Sequence, residues 1–311
     1  MRTSSPSHLK ALKRKLREDA LYKGLFTLSA FVSSMMIIII IIFITLKGIR
    51  PFLPNYEFGQ QNLWAFLTGM TWRQDQAVYG VAFIVINTLI SGFSALLIAF
   101  PISVLTALFI VKIAPPLLSK SIETVVEILA SIPSVVYGVF AAGTIVKLVQ
   151  NLAMLGQIQT AGGNSLLAVI LLLAIMIFPT ITSLSMTAIK AVDKDLELAS
   201  LALGATPTQT NFKVVLSSAK SGIFAGAILG LGRAFGEATA VGMVAGNKMF
   251  GPSFNPFDIT RTLTTTLLAG LKETTGLDYD IRFSVGIVLM GVILVSNLAI
   301  NAFKNRIGTI K

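Results

Sequence analysis

An arginine and a glutamate, Arg233 and Glu237, lie four residues apart in an apolar stretch that runs from Gly222 to Val244. A charge at bilayer depth costs about 2.5–3.5 kcal/mol even on lenient insertion scales, so such residues usually line a protected pathway or contact a partner. One helix at 100° per residue would place these side chains in a stripe roughly 80° wide: Gly222, Gly226, Gly230, Arg233, Glu237 and Ala240. The stripe predicts close helix packing around a polar passage. The alternative is a self-satisfied ion pair, although its base-first order is the less favourable one in a helix.

The composition is that of a membrane protein. Hydrophobic residues make up 54% of the 311 residues and charged residues only 13%, whereas a soluble domain carries about a quarter charged residues. Cysteine is absent, which excludes disulfides and thiolate chemistry, and the single histidine, His8, lies in a polar tail. The net charge of +11 would suit nucleic acid, but the basic residues fall in the tail and between apolar runs. That distribution is typical of membrane topology, so we predict no nucleic-acid partner.

Six apolar segments are long enough to cross about 30 Å of hydrocarbon, which takes about 20 helical residues. The predicted spans are Leu25–Leu46, Gly80–Ile110, Thr124–Leu148, Ser165–Ala188, Ser221–Gly246 and Ile281–Phe303. The first is too long for a signal-peptide core, so we expect it to remain as an anchor. Pro101, Pro133 and Pro179 lie inside three spans and predict kinks. The fold class is therefore an all-α membrane protein, with a basic tail at residues 1–24 and the transmembrane domain at residues 25–311.

The basic residues also predict the orientation. Those in the tail and in the loops on its side outnumber those on the opposite side about two to one, which puts both termini in the cytoplasm. The segment Leu9–Arg17 is basic enough to form an amphipathic helix on anionic lipid, or to act only as a topology signal. The polar loop Gly251–Asp280 then faces outside, where it can meet an external partner.

Between the fourth and fifth spans, the predicted cytoplasmic loop Val192–Lys220 contains a short helix. Asp193 is a candidate N-cap, and acidic residues in the first turn suit a helix N-terminus. Leu196, Ala199 and Leu203 form an apolar face, and Gly204 is a candidate cap at the end. Such a helix either lies on the membrane surface or docks on a soluble subunit.

This loop resembles the EAA loop of ATP-binding-cassette importer permeases. Ala199, Gly204 and Leu216 match the pattern, while its glutamate falls on Leu198 and Glu197 stands one position earlier. In that family the loop, here residues 192–217, inserts into a groove on the ATPase subunit. The resemblance therefore implies an ATPase-coupling set of Glu197, Leu198, Ala199, Leu203, Gly204 and Leu216.

Four further segments are similar to the phosphate-specific permeases of this superfamily. They are GLGRAFGEATAVGMVAGN (Gly230–Asn247), ETVVEILASIPSVVYGVF (Glu123–Phe140), AFPISVLTALFIVKIAP (Ala99–Pro115) and WAFLTG in the first loop. The ending Met-Val-Ala-Gly-Asn resembles the C-type subunit more than its A-type partner. The likeness covers nearly the whole chain from Leu25 onward.

The resemblance implies a type I, MetI-like importer permease in a bacterial inner membrane. It implies a homologous A-type permease, an ATP-binding-cassette ATPase dimer and an extracytoplasmic phosphate-binding protein as partners. The family's transport arginine and glutamate fall on Arg233 and Glu237. Arginine can offer a phosphate two donors at once, and a nearby carboxylate can hold that guanidinium between cycles. Glu127 is a second candidate for gating, with a structural contact to a neighbouring helix as the alternative.

No catalytic apparatus competes with transport. The chain has no Gly-x-x-x-x-Gly-Lys-Ser/Thr loop, so we expect no bound cofactor and ATP hydrolysis by a separate subunit. Three rivals remain open: a permease for another oxyanion such as molybdate or sulfate, a self-sufficient secondary transporter or channel, and a membrane enzyme. Secondary transporters often show inverted repeats, and none is visible here.

Overall fold

The structure is a computed structural model that describes residues 6–308, and it describes side chains at residues 15, 16, 18–302 and 304. The side chain of His8 and most of those in the predicted amphipathic segment lie outside the described residues. Six helices are long and apolar enough to cross a membrane: Glu18–Phe52, Ala82–Ile113, Ser134–Leu155, Leu166–Lys190, Pro207–Gly236 and Leu277–Ala302. The prediction of six spans is confirmed, and the third and the fifth differ most from the predicted bounds.

One long helix comes first in the described residues, and a short helix and a small β-hairpin follow it. Helix α1 runs from Pro6 to Ile49 and continues into a 3₁₀ turn, Arg50–Phe52, so the predicted tail from Pro6 onward and the first span form one helix. Helix α2 (Leu63–Thr68) follows, capped by Asn62. The two-residue strands β1 (Trp72–Arg73) and β2 (Val78–Tyr79) pair antiparallel, with Trp72 opposite Tyr79.

The remaining elements are helical. They are α3 (Ala82–Leu108) with a π turn at Phe109–Ile113, α4 (Pro116–Ser131), α5 (Ser134–Phe140) with a π turn at Ala141–Ile145, α6 (Val146–Leu155), α7 (Leu166–Lys190), α8 (Lys194–Ala202), α9 (Pro207–Gln209) with a π turn at Thr210–Val215, α10 (Leu216–Gly236), α11 (Thr239–Gly242), α12 (Leu263–Leu268) and α13 (Leu277–Gly308). Pro101 and Pro179 lie inside α3 and α7, as predicted.

Helix α7 is the centre of the bundle, with α3 and α10 packed along it. Glycines of the predicted stripe make the contact with α10 close. A Cβ on Gly222 would lie 2.5 Å from Ala188 Cβ, and one on Gly230 would lie 2.8 Å from Ile181 Cγ1. Small residues allow this approach of two backbones in a membrane. The predicted close packing is therefore confirmed for the glycine part of the stripe.

The two ends of the bundle are defined by the helices that lie there. Helix α7 begins where its Leu166 N–H donates to Asp258 O at 2.8 Å, in the segment that leads to α12. It ends next to α8, which also contacts the π turn at the end of α3, because Lys112 of that turn forms an ion pair with Glu197 of α8. We call these the α12 end and the α8 end.

The third predicted span, Thr124–Leu148, is wrong in its bounds. Helix α4 ends at Ser131, Ile132 is extended (φ −64°, ψ 128°), and a new helix starts after Pro133. A residue before proline is driven away from helical conformation, so this proline separates two helices instead of kinking one. The observed span begins at Ser134 and runs to Leu155.

The fifth predicted span, Ser221–Gly246, is displaced towards the N-terminus. The helical segment begins at Pro207, where Thr206 and Gln209 form a reciprocal capping box. It ends at Gly236, since Glu237 has an extended backbone (φ −79°, ψ 112°). The prediction of a single helical stripe through Glu237 and Ala240 is therefore wrong.

Candidate translocation pathway

Arg233 lies at mid-depth of the bundle. It is half-buried on α10, and its Nη1 donates to Thr180 Oγ1 at 2.9 Å. Thr180 follows Pro179 near the middle of α7. A hydroxyl partner fixes the guanidinium without neutralising it, because a neutral acceptor carries no compensating charge. The arginine therefore keeps its positive charge and further donors for another partner.

Glu237 has a different partner. It is also half-buried, and its Oε1 accepts a hydrogen bond from the backbone N–H of Ala240 in the short helix α11 at 3.0 Å. Within residues 18–302, whose side chains are described, no ion pair joins Glu237 to Arg233. The self-satisfied ion pair is thus not the arrangement of this structure. Helix α10 ends between the two residues, at Gly236, and α11 begins at Thr239.

A threonine-rich segment closes over this break. Thr264 Oγ1 donates to Glu237 O at 3.0 Å, and Leu263 N donates to Thr88 Oγ1 of α3 at 3.0 Å. The buried members of the segment are Thr260, Thr262, Thr264, Thr265 and Thr266. This part of Gly251–Asp280 is therefore buried at the α12 end and is not a free polar loop; the side of the membrane that it faces stays a prediction. The signal in the sequence was the run TRTLTTTLL, which carries apolar residues at helical spacing and has no charge after its arginine.

The same segment brings two more arginines into the α12 end. Arg282 of α13 is buried, and its Nη1 donates to Thr266 O at 2.8 Å while its Nε donates to Asp278 O at 3.1 Å. Arg261, just before α12, is half-buried next to it. Both arginines are among the basic residues opposite the tail whose number predicts the orientation, and no local pattern in the sequence predicts their burial.

The helix α8 has the predicted caps. Asp193 Oδ1 accepts from Asp195 N at 3.0 Å. At the other end Gly204 has a left-handed φ of +86°; its N–H donates to Leu201 O at 2.9 Å and Ala205 N donates to Ser200 O at 3.2 Å. These two bonds make a Schellman motif, in which glycine is the favoured residue.

The apolar side chains of α8 point away from the bundle. None of its residues is buried, and Leu196, Leu198, Leu201 and Leu203 are all exposed, Leu203 by 90%. Ala199 is exposed as well. An exposed apolar group of this kind on a short helix is typical of a docking surface.

The other predicted site residues lie elsewhere. Glu197 faces the bundle and pairs with Lys112. Leu216 is half-buried among residues of α3, α4, α7 and α10, and its part in ATPase coupling stays a prediction. Glu127 is exposed on α4, outside the observed third span. The structure does not bring Glu127 together with Arg233, and its role stays a prediction.

Comparison with known proteins decides the family. The sequence model of the family called binding-protein-dependent transport system inner membrane component matches residues 99–308 of this chain. The chain belongs to this family. Among curated relatives, the probable ABC transporter permease protein YqgH of Bacillus subtilis is 36% identical over 272 residues, which cover 86% of this chain and 84% of the relative. The phosphate transport system permease protein PstC of Pasteurella multocida is 33% identical, over 72% of this chain and 74% of its own length.

Solved structures show the fold of this importer permease. A bacterial ABC transporter involved in the import of the acidic polysaccharide alginate contains a chain that aligns with 97% of this one at a TM-score of 0.60 and 17% identity. The inward-facing methionine transporter MetNI aligns with 73% of this chain at a TM-score of 0.51 and 22% identity. The predicted MetI-like fold is confirmed, and the protein is a multi-pass membrane protein.

Proposed function

We propose that this protein is the C-type permease subunit of an ATP-driven phosphate importer of a bacterial inner membrane. The observation that carries the proposal is the Arg233 guanidinium at mid-depth of the bundle, held by the Thr180 hydroxyl and not by a carboxylate. Relatives named phosphate transport permease, PstC, support the substrate. The subunit forms half of the pathway, and a homologous A-type permease supplies the other half.

The chemistry of the site suits an oxyanion. A guanidinium offers several donors in a rigid plane, and a phosphate group accepts two of them side by side. The Thr180 bond fixes one nitrogen of Arg233, so the plane is oriented before the anion arrives. Glu237, at the same level, then acts as a competing negative charge that favours release of the anion towards the α8 end.

The test is phosphate uptake by the complete transporter in proteoliposomes. Arg233→Ala should abolish uptake without loss of assembly, and Arg233→Lys should also fail substantially because a point charge does not replace the planar fork. Arg73→Ala is the matched control, because Arg73 is exposed and pairs with Asp75. Sulfate and molybdate as competitors test the substrate. Uptake near the wild-type rate in a well-assembled Arg233→Ala complex would show that the pathway role is wrong.

The α8 segment couples this subunit to a separate ATPase, which supplies the energy. Support comes from the exposed leucines of α8 and from the likeness to the EAA loop. Leu203→Asp should release the ATPase from purified complexes, because it buries an unpaired carboxylate at a packed interface and costs several kcal/mol. Leu117→Asp is the control, since Leu117 is 83% exposed on α4, outside α8. Unchanged ATPase stoichiometry in Leu203→Asp would mean that α8 only lies on the membrane.

A further inference from the structure

Arg261 carries buried hydrogen-bond donors that this chain does not satisfy. Its Nε and Nη1 are shielded from solvent and meet no acceptor among the residues that the structure describes. A buried donor without a partner costs about 1–3 kcal/mol, and more when the group is charged. Such an exception in a folded protein calls for a specific explanation, for example a ligand.

The charges around Arg261 do not offset its own. Burial first, and then the nearby Arg282, lower the pKa of Arg261 to about 10, so the guanidinium stays protonated at pH 7. Neighbouring carboxylates have other partners: Asp258 pairs with Lys248 at 3.5 Å, and Asp280 pairs with Lys47 at 3.6 Å. Asp278 partly offsets the charge of Arg282, but no carboxylate among the described residues forms an ion pair with Arg261. The α12 end therefore keeps a net positive charge that favours an anion.

Other buried polar atoms without partners lie at the same junction. They are Asn87 Nδ2, Asn247 Oδ1 and Thr260 Oγ1. Two contacts join them: Gly246 bridges to Thr260, and Ser253 N donates to Asn87 Oδ1 at 2.7 Å. The unsatisfied atoms are thus concentrated where the 246–261 segment packs on the start of α3.

This junction is continuous with the Arg233 level. Arg261 directly precedes the threonine segment, whose Thr264 hydroxyl holds the Glu237 carbonyl. From Arg261 a row of buried hydroxyls leads to the break between α10 and α11, just beyond Arg233. Thr264, Thr265 and Thr266 already donate to backbone carbonyls, so they hold the segment in place, and the donors left for an anion are those of Arg261.

We propose that Arg261 is a second oxyanion-binding residue, which receives the substrate anion at the α12 end and passes it towards Arg233. This inference rests on the proposed function, because import runs from the α12 end only if α8 meets the ATPase. A phosphate carries a charge that offsets the two arginines, and its oxygens accept bonds from several directions. The chief competitor for the site is a carboxylate of a partner subunit.

The experiment compares Arg261→Gln, Arg261→Lys and the control Arg73→Gln in the complete transporter with its binding protein. Initial phosphate uptake is measured against phosphate concentration, and subunit stoichiometry on the same preparations. We expect Arg261→Gln to assemble normally and to lose at least tenfold in uptake. Arg261→Lys should keep an intermediate rate with a raised KM, and Arg73→Gln should match wild type.

Three results would overturn the assignment. Wild-type uptake in Arg261→Gln would show that the residue binds no transported anion. Loss of a partner subunit in Arg261→Gln, with full assembly and wild-type kinetics in Arg261→Lys, would identify a partner carboxylate instead. If Arg261→Gln does not accumulate, Arg261→Lys decides alone, since unchanged kinetics would exclude a role for the planar donors. If wild type carries sulfate or molybdate but not phosphate, the proposed substrate fails, and the same comparison with that anion still decides the role of Arg261.

Discussion

The ion pair between Lys112 and Glu197 ties α8 to the end of α3, and the burial of its side chains indicates its strength. The two side chains are 17% and 20% exposed. A hydrogen bond to a charged group at such a site contributes about 1.5–3 kcal/mol. A second pair, Lys190–Glu123, has side chains 49% and 31% exposed, and exposed pairs contribute about 0.2–1 kcal/mol.

A double-mutant cycle separates the two cases. The changes are Lys112→Met, Glu197→Gln and both together, with Lys190→Met and Glu123→Gln as the matched control cycle. Hydrogen exchange of the α8 amides reports how often the helix opens. We expect the first cycle to give a coupling energy of about 1.5–3 kcal/mol, which is about a 10- to 150-fold loss of protection. The control cycle should stay below about fivefold.

The same variants should also differ in ATPase binding. If α8 is held in place for docking, the loss of the tie should weaken ATPase binding by a similar factor, because the helix must then be ordered on binding. Equal coupling energies in the two cycles would refute the link between burial and strength. Normal α8 protection in Glu197→Gln would refute the tie itself.

Three other predictions concern the contact between α7 and α10, the bonds of Asp280, and the carboxylate of Glu237. Gly222→Ala should lower membrane abundance, since its Cβ would meet Ala188 Cβ at 2.5 Å. The control Gly232→Ala, whose Cβ would have nothing within 4 Å, should be neutral or stabilising by up to about 1 kcal/mol. Equal abundance of the two variants would contradict the close contact. Asp280→Asn should lower the melting temperature, because Asp280 accepts from Tyr56 Oη at 2.8 Å and pairs with Lys47. Burial and this bond raise the pKa of Tyr56 well above its usual value. The stabilisation by the Tyr56–Asp280 hydrogen bond is therefore complete below the pKa of an unfolded tyrosine, about 10, and weakens above it. A difference in melting temperature between wild type and Asp280→Asn that disappears between pH 7 and 9 would refute this. Glu237→Gln should lower turnover by a factor within about 1–3 kcal/mol while assembly persists, and unaltered uptake and ATPase rates would refute its part in release.

The class of the protein and much of its layout follow from the amino-acid sequence alone. Apolar length fixes the number of spans, because a helix is the only way to satisfy the backbone of a single apolar segment in lipid. Local chemistry fixed α8, since Asp193 and Gly204 act within one turn of their own helix. The glycines of α10 predicted close packing for a similar reason: the absence of a side chain is visible without a neighbour.

Only the tertiary structure decided where α10 stops and which charges meet. The apolar pattern of the sequence continues past Glu237, yet helix α10 ends at Gly236. The carbonyl of Glu237 instead accepts a hydrogen bond from Thr264, which lies 27 residues later in the chain. Glu197 turned inward to Lys112, 85 residues away. No local signal distinguishes Arg261 from an ordinary outer-loop charge, and its half-buried position depends on the packing of the segment around α12. These outcomes depend on contacts between distant segments, and periodicity in one segment carries no information about the partner that arrives from another.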